Sequence, residues 1–93
     1  MTMQTDVLSA TATADGTMVS QATRVRGITV TTSATAGSVV LKDGGATGSA
    51  RITVNTPAVA GLQNVFIPAE GVRFYTDVYV DVTNVASVTV FYG

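Results

Sequence analysis

The sequence predicts an all-β chain: a single antiparallel β-sandwich of about seven or eight strands, of jelly-roll type, although a small barrel would leave a similar pattern. Three observations carry this expectation. Apolar and polar residues alternate with period two, most clearly in "DVYVDV", where Val78, Val80 and Val82 share one face and Asp77, Tyr79 and Asp81 the other. Candidate strands follow one another close to the regular spacing of sandwiches and barrels, each bounded by Gly, Pro, Asp, Asn or Ser/Thr. Helix signals are weak, because Leu occurs three times and Glu once, and no window repeats apolar residues at helical spacing with caps.

Taken in order, the first 22 residues are the least patterned and read as an N-terminal arm or one or two edge strands turning at Asp15 and Gly16. The sandwich proper is expected over 23–93. Its first strand, "RVRGITVTT" (24–32), breaks its own phase: Val25 alternates in one register and Ile28 and Val30 in the other. A β-bulge at Arg26 and Gly27 would return all three to one face. "SVVLKD" (38–43) and "SARITVN" (49–55) flank the glycine-rich "KDGGATGS", a hairpin loop. "NTPAVAG" is a longer connection, followed by "LQNVFIP" (62–68), a tight turn at "AEG" (69–71) and "VRFYT" (72–76). The last two strands read as a hairpin over 77–92 that turns at Asn84, a residue tolerant of left-handed backbone. The apolar ending "TNVASVTVFYG" is then an interior strand that closes the fold.

Composition narrows the chemistry. There is no cysteine and no histidine, so thiolate chemistry, disulfides, imidazole catalysis and Cys/His metal sites are absent. Five Lys and Arg against six Asp and Glu give a net charge of −1, and charged residues are 12% of the chain. A general basic face for nucleic acid is not expected. Thr, Ser, Asn and Gly interrupt every apolar run before it reaches membrane-helix length, and the start lacks the basic and apolar regions of a signal peptide. A soluble product is expected, intracellular or leaving the cell by a route other than secretion. With 46% apolar residues and few charges, its surface suits docking against other protein.

No residue set composes a recognisable active site, so no enzyme and no cofactor is expected. Asp77 and Asp81, four residues apart on one strand, would lie about 13 Å apart, too far for an acid/base pair of carboxylates. "DGGATGSAR" lacks the Lys and the following helix of a phosphate-binding loop. Arg24 and Arg26 are spaced to leave one strand in the same direction, with Arg51 or Arg73 opposite, a small cluster suited to Asp77 and Asp81 or to a neighbouring subunit.

"TRVRGITV", "AGSVVLKDGG" and "NVFIPAEGVRFYTDVYVDVTNVASVTVFYG" resemble a group of small tailed-bacteriophage virion proteins that end on a similar "N-V-x-S-V-T-V-F-Y-G". The resemblance spans roughly 23–93 and implies a virion structural protein, assembled in the host cytoplasm. The expected function is a capsid decoration (cement) protein that stabilises the head, with the major capsid protein or other virion proteins as partners and homo-oligomerisation, and with neither nucleic acid nor membrane as a ligand. In this setting Arg24, Arg26 and Arg51 are the expected inter-subunit contacts. The runners-up are a tail or head–tail-junction module, and an adhesion module whose Tyr75 and Tyr79 stack on sugar.

Overall fold

The computed structural model describes residues 8–67 and 71–93. Among these residues nine strands run in order: β1 (Leu8–Ala12), β2 (Gly16–Val19), β3 (Thr23–Thr32), β4 (Gly37–Asp43), β5 (Ser49–Thr56), β6 (Gly61–Phe66), β7 (Val72–Phe74), β8 (Val78–Thr83) and β9 (Val85–Tyr92). They form two antiparallel sheets. The first, sheet A, has the order β1-β9-β3-β6 with β7 also on β3; the second, sheet B, has the order β2-β8-β4-β5. β6 pairs with β3 from Thr32 to Gly27, and β7 continues along the same strand from Val25 to Thr23. The two short strands therefore fill one position. Counting positions in this way, the sheets read 1-8-3-6 and 2-7-4-5, which is a jelly roll. The expected fold class holds, with nine strand segments in eight positions.

Between the sheets lies a core made largely of valine. β3 contributes Val25, Ile28 and Val30; β9 contributes Val88 and Val90; β4 and β8 face them with Val39, Leu41, Val78 and Val80. Val19, Ile67 and Phe74 complete the buried apolar set among the described residues. β-Branched side chains lose little further freedom on a pleated surface, which is why a sequence poor in Leu still fills two sheets. The phase break in β3 is a bulge: the ladder to β9 shifts register between Val25 and Gly27, and Val25, Ile28 and Val30 are all buried as a result. On the outer side, the Phe91 ring packs beside Gly27 and covers the missing side chain.

The hairpin expected over 77–92 does not form. β8 pairs with β4 and β2 in sheet B, whereas β9 pairs with β3 and β1 in sheet A. Asn84 does take the left-handed conformation, with φ of 53°, but its turn is a corner that carries the chain from one sheet to the other. Alternation buries the same residues in either arrangement, so it cannot distinguish a hairpin from two strands facing each other across a core. The terminal strand is interior as expected, held between β1 and β3.

The N-terminal segment supplies an edge to each sheet, β1 beside β9 and β2 beside β8. Residues 1–7 of that segment, and Pro68, Ala69 and Glu70 around the expected "AEG" turn, lie outside the described residues. Among the described residues no helix is long and apolar enough to cross a membrane.

Candidate functional site

Strand register gathers residues 20–22, 44–48, 75–77 and Gly93 at one end of the sandwich, since Val19 sits opposite Val78, Asp43 opposite Ser49 and Thr23 opposite Phe74. All the arginines and tyrosines lie on strand segments that lead into this end or on its loops. Residues 13–15, 33–36, 57–60 and Asn84 form the other end, where Asp15 is the only charged residue among those described.

Two aspartates fasten the first end by exchanging bonds with each other's loops. Asp43, the last residue of β4, accepts the amides of Tyr75 and Thr76 at 2.9 and 2.8 Å and that of Asp77 at 3.5 Å. Asp77 in turn accepts the amides of Gly44 at 2.9 Å and Gly45 at 3.1 Å. Gly44 and Gly45 both have positive φ, 108° and 80°, and it is this backbone that turns their two N–H groups toward one carboxylate. The Asp43 side chain is 5% exposed. The Tyr75 amide above all, then the Thr76 and Asp77 amides and the Arg51 charge, hold its carboxyl below the ordinary value against the opposing effect of desolvation.

Tyr75, fixed by this exchange at its own amide, is 66% exposed. The Arg73 guanidinium lies 5.3 Å from its ring centroid and that of Arg51 5.8 Å, within the range of cation–π attraction. Arg51 also reaches Asp43, at 3.5 Å. Arg73 sits directly opposite Arg24 in the β3–β7 ladder. These two arginines line an open pocket of about 390 Å³ with Leu8, Gln21, Ala22, Thr23, Tyr92 and Gly93. Gly93 is tied down there by its amide, which donates to the Arg24 carbonyl at 3.1 Å.

The three arginines singled out from sequence are thus divided. Arg24 and Arg26 are on β3 in sheet A, and Arg51 is on β5 in sheet B, joined to sheet A through Tyr75 and Arg73. Arg26 sits at the bulge with its Nε buried and without a hydrogen-bond partner. Neither Asp77 nor Asp81 pairs with these arginines among the described residues: Asp77 binds the glycine loop, and Asp81 pairs with Lys42 at 3.3 Å. Tyr79, half-buried on β8, neighbours that pair in register opposite Lys42. Sequence spacing missed the role of Arg73 as the bridge between the pocket and Tyr75, because the pairing of β7 with β3 is set by the fold. Among the described residues no group of three or more acidic side chains is placed to hold a metal.

Beyond the bulge, the outer face of sheet A carries no charged residue among those described. One row crosses four strands as Thr11, Thr89, Thr29 and Asn64, with Thr11 and Thr89 hydroxyls 2.8 Å apart and the Thr29 hydroxyl donating to Asn64 at 2.9 Å. The flanking rows carry Ser87, Thr31 and Leu62 on one side and Ser9 and Phe91 on the other, with Leu62 66% and Phe91 38% exposed. Here the neutral surface expected from composition becomes one continuous face, while sheet B carries Lys42, Arg51 and Asp81 on its outward positions. Comparison of the chain with protein-family profiles, with curated proteins and with solved structures finds no match in any of the three.

Proposed function

We propose that this protein is a structural component of a tailed-bacteriophage particle, a decoration module that binds the head and stabilises it. The observation that carries the proposal is the outer face of sheet A, where Thr11 bonds to Thr89 and Thr29 to Asn64 across the strands and, among the described residues, no charge interrupts the rows. Such a face has little desolvation cost to overcome on contact with another protein surface. Supporting it are the resemblance of 23–93 to small virion proteins and the jelly-roll order, an architecture used by viral capsid and lectin domains, which enters as fold-level analogy. Many copies on a lattice add modest contacts into a durable whole.

Within the same class, a tail or head–tail-junction module would use the same face at lower copy number. The sugar-stacking reading is weaker, because the Tyr75 ring already holds two guanidinium groups and a sugar would compete with them. Mass spectrometry of purified particles of the phage that encodes the chain tests the proposal. The expected result is the protein at fixed stoichiometry, with a density map showing hundreds of copies for a head protein and about a dozen or fewer for a tail module. Absence from the particle overturns it.

A further inference from the structure

The edges of the two sheets differ. In sheet B, the ladders that hold the edge strands β2 and β5 are each broken by a register shift, between Thr17 and Val19 and between Leu41 and Lys42, and β5 also carries Arg51. In sheet A, β7 carries Arg73, whereas β6 runs against β3 in unbroken register from Gly61 to Phe66 with no charge and no proline within it. Bulges, charges and prolines are what keep a sheet edge from pairing with a further strand, and β6 has none of the three. Among the described residues β3 is its one strand partner, so the other edge of β6 is open. The segment leading into this strand is as unguarded. Residues 57–62, "PAVAGL", are consecutive, apolar or glycine, and all exposed, Val59 and Leu62 each at 66%. No charged residue occurs anywhere from 52 to 69. A run of exposed apolar residues marks a surface that is covered on contact. β1, at the far side of sheet A, is also regular and uncharged, but it is shorter and leads into Thr13, Ala14 and Asp15 rather than an apolar run.

We infer that β6 is a dimerisation edge: two copies of the chain pair β6 against β6, antiparallel, about a two-fold axis perpendicular to sheet A, with residues 57–62 of each copy flanking the joined strands. The edge offers backbone donors and acceptors to a strand and carries no charge that would select a charged partner. A second β6 supplies an uncharged counterpart, and its self-pairing brings no like charges together. Leu62 and Asn64 lie on the outer face, opposite Thr31 and Thr29, and this two-fold keeps the outer faces of both copies on one side. The neutral rows then continue from copy to copy. The inference does not rest on the virion reading, although it doubles the face that reading uses. Two short strands and their flanking loops make an interface smaller than the standard size, so the dimer Kd is expected on the order of 100 μM.

Sedimentation equilibrium of the purified chain, up to about 1 mM, tests the assignment. Wild type is expected to pass from monomer to dimer and no further. Leu62→Lys places a charge on the joined strands of both copies and should raise the dimer Kd about tenfold or more. Thr53→Lys, at an exposed position of the β5 edge, should leave it unchanged, and circular dichroism with thermal melts checks that both variants fold. Because the chain has no cysteine, Asn64→Cys supplies a single thiol that a short bis-maleimide should link between copies. Ser9→Cys on β1 would lie roughly 34 Å from its counterpart by strand spacing and should not be linked. A monomer at every concentration, an open series of oligomers, equal effects of Leu62→Lys and Thr53→Lys, or linkage through position 9 as efficient as through position 64 would each overturn the assignment.

Discussion

At one end of the sandwich Asp43 and Asp77 bind five amides of each other's loops, whereas at the other the loops are tied almost entirely by neutral groups. There the Thr32 hydroxyl, 3% exposed as a residue, lies 2.6 Å from the Val59 carbonyl and 3.1 Å from that of Gly61. The Thr56 hydroxyl accepts the Gly37 amide at 2.9 Å, Ser33 donates to the Asn84 carbonyl at 2.6 Å, and the Asn84 side chain donates to the Ala36 carbonyl at 3.1 Å. Asp15 is the exception, accepting the Val82 amide at 2.8 Å. Both ends satisfy the same need, since loop backbone withdrawn from water must find partners. They differ in what can undo them: protons act on the carboxylates and leave the hydroxyls alone.

The largest effect is expected at the neutral end. A Cβ added at Gly37 would lie 1.8 Å from the Thr83 carbonyl oxygen, and backbone cannot yield as a side-chain tip can. Gly37→Ala should cost about 3 kcal/mol or more, measured by urea unfolding, with a loss that stays constant across mildly acidic pH. A loss under about 1 kcal/mol would show that the corner between β8 and β9 is pliable.

Asp43→Asn comes next and tests the other end. It keeps one acceptor oxygen but removes the charge, and should lower Tm by several degrees at pH 7. The folded value of Asp43 lies below its ordinary 3.8, so its ionisation stabilises the fold fully above that value. This contribution disappears as pH falls through the lower, folded value. The gap between wild type and Asp43→Asn should therefore close on acidification, as thermal melts from pH 6 to pH 2 would show; a gap that is independent of pH would contradict the mechanism. The smallest change is Thr32→Val, which preserves shape and removes one hydroxyl. It should cost about 1 kcal/mol with no pH dependence.

Much of the fold was legible because valine alternation reports burial directly. The bulge at Gly27 could be placed from three side chains out of phase, and the 44–48 loop from its glycines. What alternation cannot carry is partner identity, which is why β8 and β9 read as a hairpin when they lie in opposite sheets. Site geometry was less accessible still. From sequence Asp43 read as the edge of a glycine-rich hairpin loop and Asp77 as a partner for the arginines, since their actual amide partners lie 32 to 34 residues away. Arg51 was visible as part of a cluster, but its link to Arg73 runs through Tyr75 and requires both sheets to be assembled.

The central position of β9 has a consequence for the order of folding. β1 and β3, made early, share β9 as their common neighbour, and the Thr11 and Thr89 hydroxyls that meet across the first ladder are 78 positions apart. Sheet A therefore has a gap in its middle until residues 85–92 leave the ribosome. Until then β1 has no neighbour in that sheet and one long edge of β3 stays open, a state that invites pairing with a second nascent chain. Closure waits on contacts of high sequence separation, which places this domain among the slower folders, on the order of milliseconds to seconds. β9, the latest in chain order of the nine described strands, is the one that joins the two halves of sheet A.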